Sequence, residues 1–189
     1  MTLYPGTPSD APFLALVVAE ALGNDLMSQP MERLPQEEQQ RLKMLEYSIL
    51  QDNTLYNWRN ATVAKDTDGN PLGAIIAYPG EGYKEVRDRT FGILQDIIDF
   101  DTSAMEDETV AGEYYLDSIS VSPLARGKGI GKILLLSAIS RAKQLGLTAV
   151  LACDPENTRA RALYESMGFK HNGNLFIFGH TYLRMEIER

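Results

Sequence analysis

The chain has one cysteine, two histidines and one tryptophan in 189 residues, and its 18 Lys and Arg are outnumbered by 26 Asp and Glu. A lone Cys153 cannot close an internal disulfide, which agrees with a reducing compartment. The formal net charge of −8 leaves no basic excess to neutralise phosphates, which argues against nucleic acid and anionic membrane surfaces as partners. No apolar run approaches the roughly 18 residues needed to span a bilayer. The N-terminal MTLYPGTPSD lacks both the basic stretch and the apolar core of a secretory signal, so the protein reads as cytoplasmic. Internal repeats and low-complexity tracts are missing too. What is present, 44% hydrophobic and 23% charged residues, suits one globular domain over residues 1–189.

The most informative stretch runs from Glu113 to Phe169 and centres on the loop Arg126-Gly127-Lys128-Gly129-Ile130-Gly131. The preceding YYLDSISV is aromatic and β-branched and predicts a strand. Beyond the loop, Ile130, Ile133, Leu134, Ile139, Ala142 and Leu145 recur at helical spacing. The glycines therefore join a strand to a helix N-terminus, where first-turn amides lack intrahelical partners and suit a phosphate, with Lys128 and Lys132 beside them. A P-loop is excluded, because three residues rather than four precede the Gly-Lys pair and Ile133 follows it. The dinucleotide fingerprint fails as well: the loop is GxGxG, and Ser122 to Ala125 separate it from the strand.

The Arg-x-x-Gly-x-Gly pattern, followed downstream by Asn157, Ala160 and the LYESMGF segment from Leu163 to Phe169, resembles the GNAT superfamily of acyl-CoA-dependent N-acyltransferases. The resemblance implies an α/β fold with a central mixed, mostly antiparallel sheet of about seven strands flanked by helices. It implies acetyl-CoA as acyl donor, no metal, and the primary amine of a small molecule or peptide as acceptor, cationic amines included. Homodimers are frequent in the superfamily. An acetyl-CoA-binding sensor of the same fold without turnover is the rival reading.

Elsewhere, Thr2 to Tyr4 predicts a short strand. A helix capped by Ser9 or Asp10, with Pro12 in its first turn, presents Phe13, Leu14, Val17, Val18, Ala21 and Leu22 and stops at Gly23. A loop spans Asn24 to Leu34, and a helix after Pro35 has Leu42, Leu45 and Ile49 as its inner stripe. Ala61 to Lys65 and Leu72 to Tyr78 form a hairpin whose Asp66 to Asn70 is a turn rather than a calcium loop. The sequon Asn60-Ala61-Thr62 has no secretory context to give it meaning. Tyr83 to Phe100 has helical spacing at Tyr83, Val86, Thr90, Leu94 and Ile97, and Gly92 weakens it by roughly 1 kcal/mol against Ala. Thr102 to Gly112 reads as a mobile acidic loop. In the superfamily's terms, this is a helical insertion between the third and fourth strands, which either covers the acceptor or closes the core. Ala149 to Asp154 predicts a buried strand ending near a core Cys153. A helix from Asn157 buries Ala160, Leu163, Tyr164 and Met167, and two strands near Phe169 to Asn174 and Tyr182 to Glu188 complete the sheet.

For the chemistry, the resemblance assigns Ile119, Ser120 and Val121 to the thioester and pantetheine. It assigns Arg126, Gly127, Lys128, Gly129, Ile130, Gly131 and Lys132 to the pyrophosphate. By the same resemblance Asn157 and Ala160 contact the coenzyme and Tyr164 is the general acid beside its sulfur; by position alone Asn157 equally suits a helix N-cap and Tyr164 a core residue. Alternation puts Glu113, Tyr115 and Asp117 on one strand face unless a bulge intervenes before Ser118, and because the resemblance implies a general base at these positions, Glu113 and Asp117 compete for that role. His180, in the loop FGHTY, is a further candidate for the acceptor side, and His171 has less to recommend it. Asp99, Asp101, Glu106, Asp107 and Glu108 predict an acidic rim that attracts an ammonium substrate.

Overall fold

Alternating apolar residues and helical stripes give seven strands and five α-helices in the computed structural model, which describes residues 1–23, 26–97 and 102–187. In chain order these are β1 (Thr2–Pro5), α1 (Ala11–Ala21), α2 (Gln36–Leu50), β2 (Ala61–Lys65), β3 (Pro71–Pro79), α3 (Tyr83–Leu94), β4 (Glu113–Val121), α4 (Ile130–Leu145), β5 (Thr148–Cys153), α5 (Thr158–Ser166), β6 (Lys170–Ile177) and β7 (His180–Ile187). One sheet holds all seven strands in the order β1-β2-β3-β4-β5-β7-β6. Neighbours run antiparallel except β4 and β5, which are parallel and are joined through α4. That pair needs a helical crossover because parallel strands cannot be closed by a tight turn.

Alternation along β3 divides the core. Ala74, Ile76 and Tyr78 join Leu14, Val17 and Val18 of α1 and Leu42, Leu45 and Ile49 of α2 on one face. Ile75 and Ala77 join Leu134, Leu135, Ala138 and Ala142 of α4 on the other. Truncating a residue such as the fully buried Leu134 to Ala would cost about 2–5 kcal/mol.

Two irregularities shape the centre. β4 and β5 pair only from Glu113–Thr148 to Tyr115–Val150. Past that point β4 stays with β3 as far as Val121, while β5 stays with β7 as far as Cys153, so the sheet parts into a V. The second is a bulge in β4: Ser118 faces Ile76 and Leu116 faces Ala77, leaving Asp117 as the extra residue. The bulge lies where alternation had to be conditional. It reverses the strand's parity, so Tyr115 and Ser120 share a face although one is odd and the other even.

Several local expectations are corrected. Asp10 precedes α1 but does not cap it by side chain; its carboxylate accepts Thr7 N–H at 3.0 Å and Thr7 Oγ1 at 2.6 Å and pairs with Lys65 at 2.6 Å. On α4 the buried stripe is Ile130, Leu134, Leu135, Ala138 and Ala142, and Ile133 and Leu145 are exposed, because residues at steps of four share one face of a helix. Helix α3 stops at Leu94 and continues as a 3-10 turn to Ile97; the rest of the expected helix, from Ile98 to Phe100, lies outside the described residues, as do Asn24, Asp99, Asp101 and Glu188. Residues 102–112 are pinned rather than mobile. Glu106 N–H donates to Phe176 O at 3.0 Å, Phe176 N–H donates back to the Glu106 carboxylate at 2.5 Å, and Glu108 and Thr109 are buried. Strand β6 reaches Ile177, and His180 opens β7 instead of lying in a loop. No described helix is long and apolar enough to cross a membrane.

Candidate active site

The parted strands open a cleft of about 330 Å³. Ile119, Ser120 and Val121 of β4 form one wall; Ala152 and Cys153 of β5 with Asn157, Ala160 and Tyr164 form the other. Past Tyr115, β4 has no partner on its β5 side, so its backbone groups there are available to a ligand laid in the gap.

At one end lies the glycine loop. Gly127 and Gly129 adopt φ of 77° and 78°, a left-handed region costly to residues with a Cβ. Gly129 is the N-cap of α4, and Ile133 N–H is the first to reach a carbonyl, that of Gly129 at 3.1 Å. The amides of the preceding turn therefore remain for an anion, with the helix dipole behind them. Lys128 Nζ donates to Leu124 O at 3.2 Å. Arg126 donates to Val121 O at 3.0 Å and pairs with Glu20 of α1 at 3.1 Å. Glu20 also lines the cleft and accepts Met27 N–H at 2.9 Å, so one carboxylate ties the segment after α1 to the loop arginine. Ser120 Oγ donates to Met27 Sδ at 3.7 Å, laying that same segment over the cleft wall. The sequence contained a signal for Glu20, the one charge within the apolar run LALVVAEAL.

Tyr164 stands on the α5 wall, half-buried, with its ring edge-on to Phe169 at 5.9 Å between centroids. Its hydroxyl has no hydrogen-bond partner among the described residues, and burial, with the nearby Cys153, pushes its pKa up to about 12. The expected inner face of α5 is only half-buried, because that side is shared between core and cleft. Asn157 caps α5 by accepting Ala160 N–H at 3.0 Å, which leaves its amide donors for a ligand. Cys153 is buried, and burial raises its thiol pKa, the property of a core residue rather than a nucleophile.

The two candidate bases have different surroundings. Asp117 lines the cleft and accepts Tyr78 OH at 2.5 Å and Ser118 Oγ at 2.6 Å; burial raises its pKa against both bonds. Glu113, at the start of β4, is occupied by Arg184, Thr109 Oγ1 at 3.0 Å and Val110 N–H at 3.1 Å, and it is not a cleft residue. His180 and His171 are exposed, and His171 bonds Asn174 at 3.1 Å; neither lines the cleft. Of the anticipated acidic rim, Glu106 holds Phe176, Asp107 pairs with Arg87 at 2.6 Å and Glu108 is buried under two tyrosine hydroxyls, while Asp99 and Asp101 lie outside the described residues. Negative charge at the cleft comes instead from Glu20, Asp117 and Asp154. Larger hollows of about 690 and 580 Å³ lie beside Tyr4 and Arg141 and beside Asn53 and Glu81, without the glycine loop.

Comparison with known proteins agrees with this architecture. A 59-residue stretch is 42% identical to the mycothiol acetyltransferase of Renibacterium salmoninarum, covering 31% of this chain and 17% of that relative's length. A solved acetyltransferase is 29% identical with a TM-score of 0.75 over 100% of this chain and 99% of its own. The N-acetyltransferase from Staphylococcus aureus Mu50, 22% identical, shares the fold with a TM-score of 0.78 over 99% and 100% of the two chains. The model of the acetyltransferase (GNAT) family matches residues 20–169, so a chain whose sheet parts beside a glycine-capped helix belongs to that family.

Proposed function

We propose that the protein moves an acetyl group from acetyl-CoA directly to a primary amine of a small molecule or peptide, with cationic amines the favoured class. The observation that carries this reading is the cleft itself, with helix amides at one end and a tyrosine hydroxyl on its wall that have no partner among the described residues. The fit is supported by the left-handed Gly127 and Gly129, around which a Cβ would find nothing within 4 Å, so the loop backbone is open to a bulky anion. When bound, the coenzyme supplies an acetyl thioester open to attack by nitrogen.

The residues act on that group as follows. Gly127 to Lys132, with Arg126 drawn away from Glu20, hold the pyrophosphate. Ile119, Ser120 and Val121 offer backbone to the pantetheine, and Asn157 and Ala160 close it in. Asp117 accepts the proton that the attacking amine sheds as the C–N bond forms. Tyr164, kept protonated by burial, gives its proton to the sulfur as the C–S bond breaks. Glu20, Asp117 and Asp154 favour an ammonium-bearing acceptor.

The test is acetyl-CoA-dependent thiol release against amino acids, polyamines, aminosugars and peptide N-termini. Cationic amines should be acetylated, and Tyr164→Phe should lower kcat by about 100- to 10,000-fold while leaving acetyl-CoA affinity unchanged. Tight acetyl-CoA binding with no amine acetylated would favour a coenzyme-sensing module instead.

A further inference from the structure

Behind the cleft wall formed by Asp117 lies a second carboxylate that the reaction above leaves unused. Glu108, 5% exposed, enters from the segment before β4 and accepts Tyr83 OH at 2.7 Å and Tyr115 OH at 2.5 Å. Asp117 is held in parallel fashion by Tyr78 OH. The three tyrosine rings form one wall: Tyr78 stacks on Tyr83 at 6.5 Å and tilts against Tyr115 at 5.9 Å. Two acids are thus gathered in one buried polar pocket, one reaching the cleft and the other sealed behind it. The groups facing Glu108 are Tyr83 and Arg87 of α3, Tyr115 and Asp117 of β4, Tyr56, Tyr78 of β3 and Tyr182 of β7. Arg87, the cation among them, is already bound to Asp107 at 2.6 Å and Asp88 at 3.1 Å. A buried carboxylate with so little compensating charge is costly to ionise, and its neighbour's charge makes it costlier.

We propose that Glu108 and Asp117 work as one proton-holding unit, in which Asp117 meets the acceptor amine and Glu108 is the positioning residue that sets the basicity of Asp117. The inference rests on the acetyl-transfer reading given above. Burial first, and the charge of Asp117 second, push Glu108 up to about 7 against the bonds from Tyr115 and Tyr83. In the proposed pair Asp117, which opens to the cleft, ionises first, and the sealed Glu108 keeps the last proton to near neutrality. When that last proton leaves, a second negative charge stands close to Asp117 and strengthens it as a base.

Two measurements test this on the intact protein. Infrared titration of the free enzyme should show a carboxylic acid that persists to about pH 7 and is missing in Glu108→Gln. The profile of kcat/KM should rise by about 3- to 10-fold across the same pH, and Glu108→Gln should abolish that step while leaving acetyl-CoA affinity unchanged. Tyr115→Phe, which removes a donor that favours ionised Glu108, should move both transitions to higher pH and serves if the glutamine variant fails to fold. A step that survives Glu108→Gln, a transition unmoved by Tyr115→Phe, or a uniform loss of rate at every pH would overturn the pairing. A shared proton seen by infrared in a protein that acetylates no amine would uphold the pair and overturn only the acetyl-transfer reading.

Discussion

Glu113 and Asp117 belong to the same strand, but they have different neighbours. Arg184 crosses from β7 to meet Glu113, and both side chains are mostly buried, at 17% and 15% exposure. Removing the charge from Glu113 leaves Arg184 facing the interior with Glu186, at 2.9 Å, as its one remaining ion-pair partner among the described residues. Glu113→Gln should therefore lower unfolding free energy by about 2–3 kcal/mol, measured by denaturant titration, with kcat/KM within about twofold of wild type. A loss of turnover without loss of stability would return Glu113 to the chemistry. Alternation along the strand made both acids visible in the sequence. It could not choose between them, because the choice depends on an arginine some seventy residues later in the chain.

At the scale of elements, the glycine loop and α4 were legible because the constraints are local. A backbone turning through positive φ at Gly127 and Gly129 needs glycine, and an apolar period of 3.6 needs a helix. Gly131→Glu separates folding from binding: Gly131 has no left-handed φ, a Cβ there meets only Val121 Cγ2 at 3.8 Å and an acid suits the first turn of a helix, yet it brings a negative charge to the place proposed for the pyrophosphate. The variant should remain folded by circular dichroism and bind acetyl-CoA at least about 100-fold more weakly by calorimetry. Wild-type affinity in the folded variant would remove the loop from the coenzyme site. For the opposite reason, the segment from 102 to 112 differs from the mobile loop its composition predicts. Its acids look solvated in the sequence, and only the approach of α3, β4 and β6 gives Asp107, Glu108 and Glu106 their partners.

For the whole molecule, two buried acids act on stability in opposite directions. Burial pushes Asp10 up, but bonds from Lys65 and Thr7 outweigh it and leave it below its ordinary value. Asp10 thus adds stability above its unfolded pKa that is lost as pH falls through the lower folded value. Glu108 rises from 4.5 to about 7, so its native form holds a proton that the unfolded chain has released. Stability from this group falls as pH climbs between those values, by up to about 3 kcal/mol. Thermal unfolding should show a maximum at mildly acidic pH and a decline toward pH 8, and Glu108→Gln should flatten that decline. An unchanged pH dependence in the variant would place the titrating group elsewhere.

The sequence by itself determined the elements whose causes lie within a few residues: the β4 strand, the glycine turn, the α4 and α5 helices with the Asn157 cap, and through them the family. Tertiary structure decided what depends on distant groups meeting. The length of the β4–β5 pairing, which opens the cleft, follows from β5 staying with β7 after β4 has turned away with β3. The bulge that turns Asp117 toward that cleft and the two tyrosines that bury Glu108 are likewise products of packing. Local propensity fixes backbone shape, whereas the charge state of a buried acid is set by which side chains the finished fold brings within hydrogen-bonding distance.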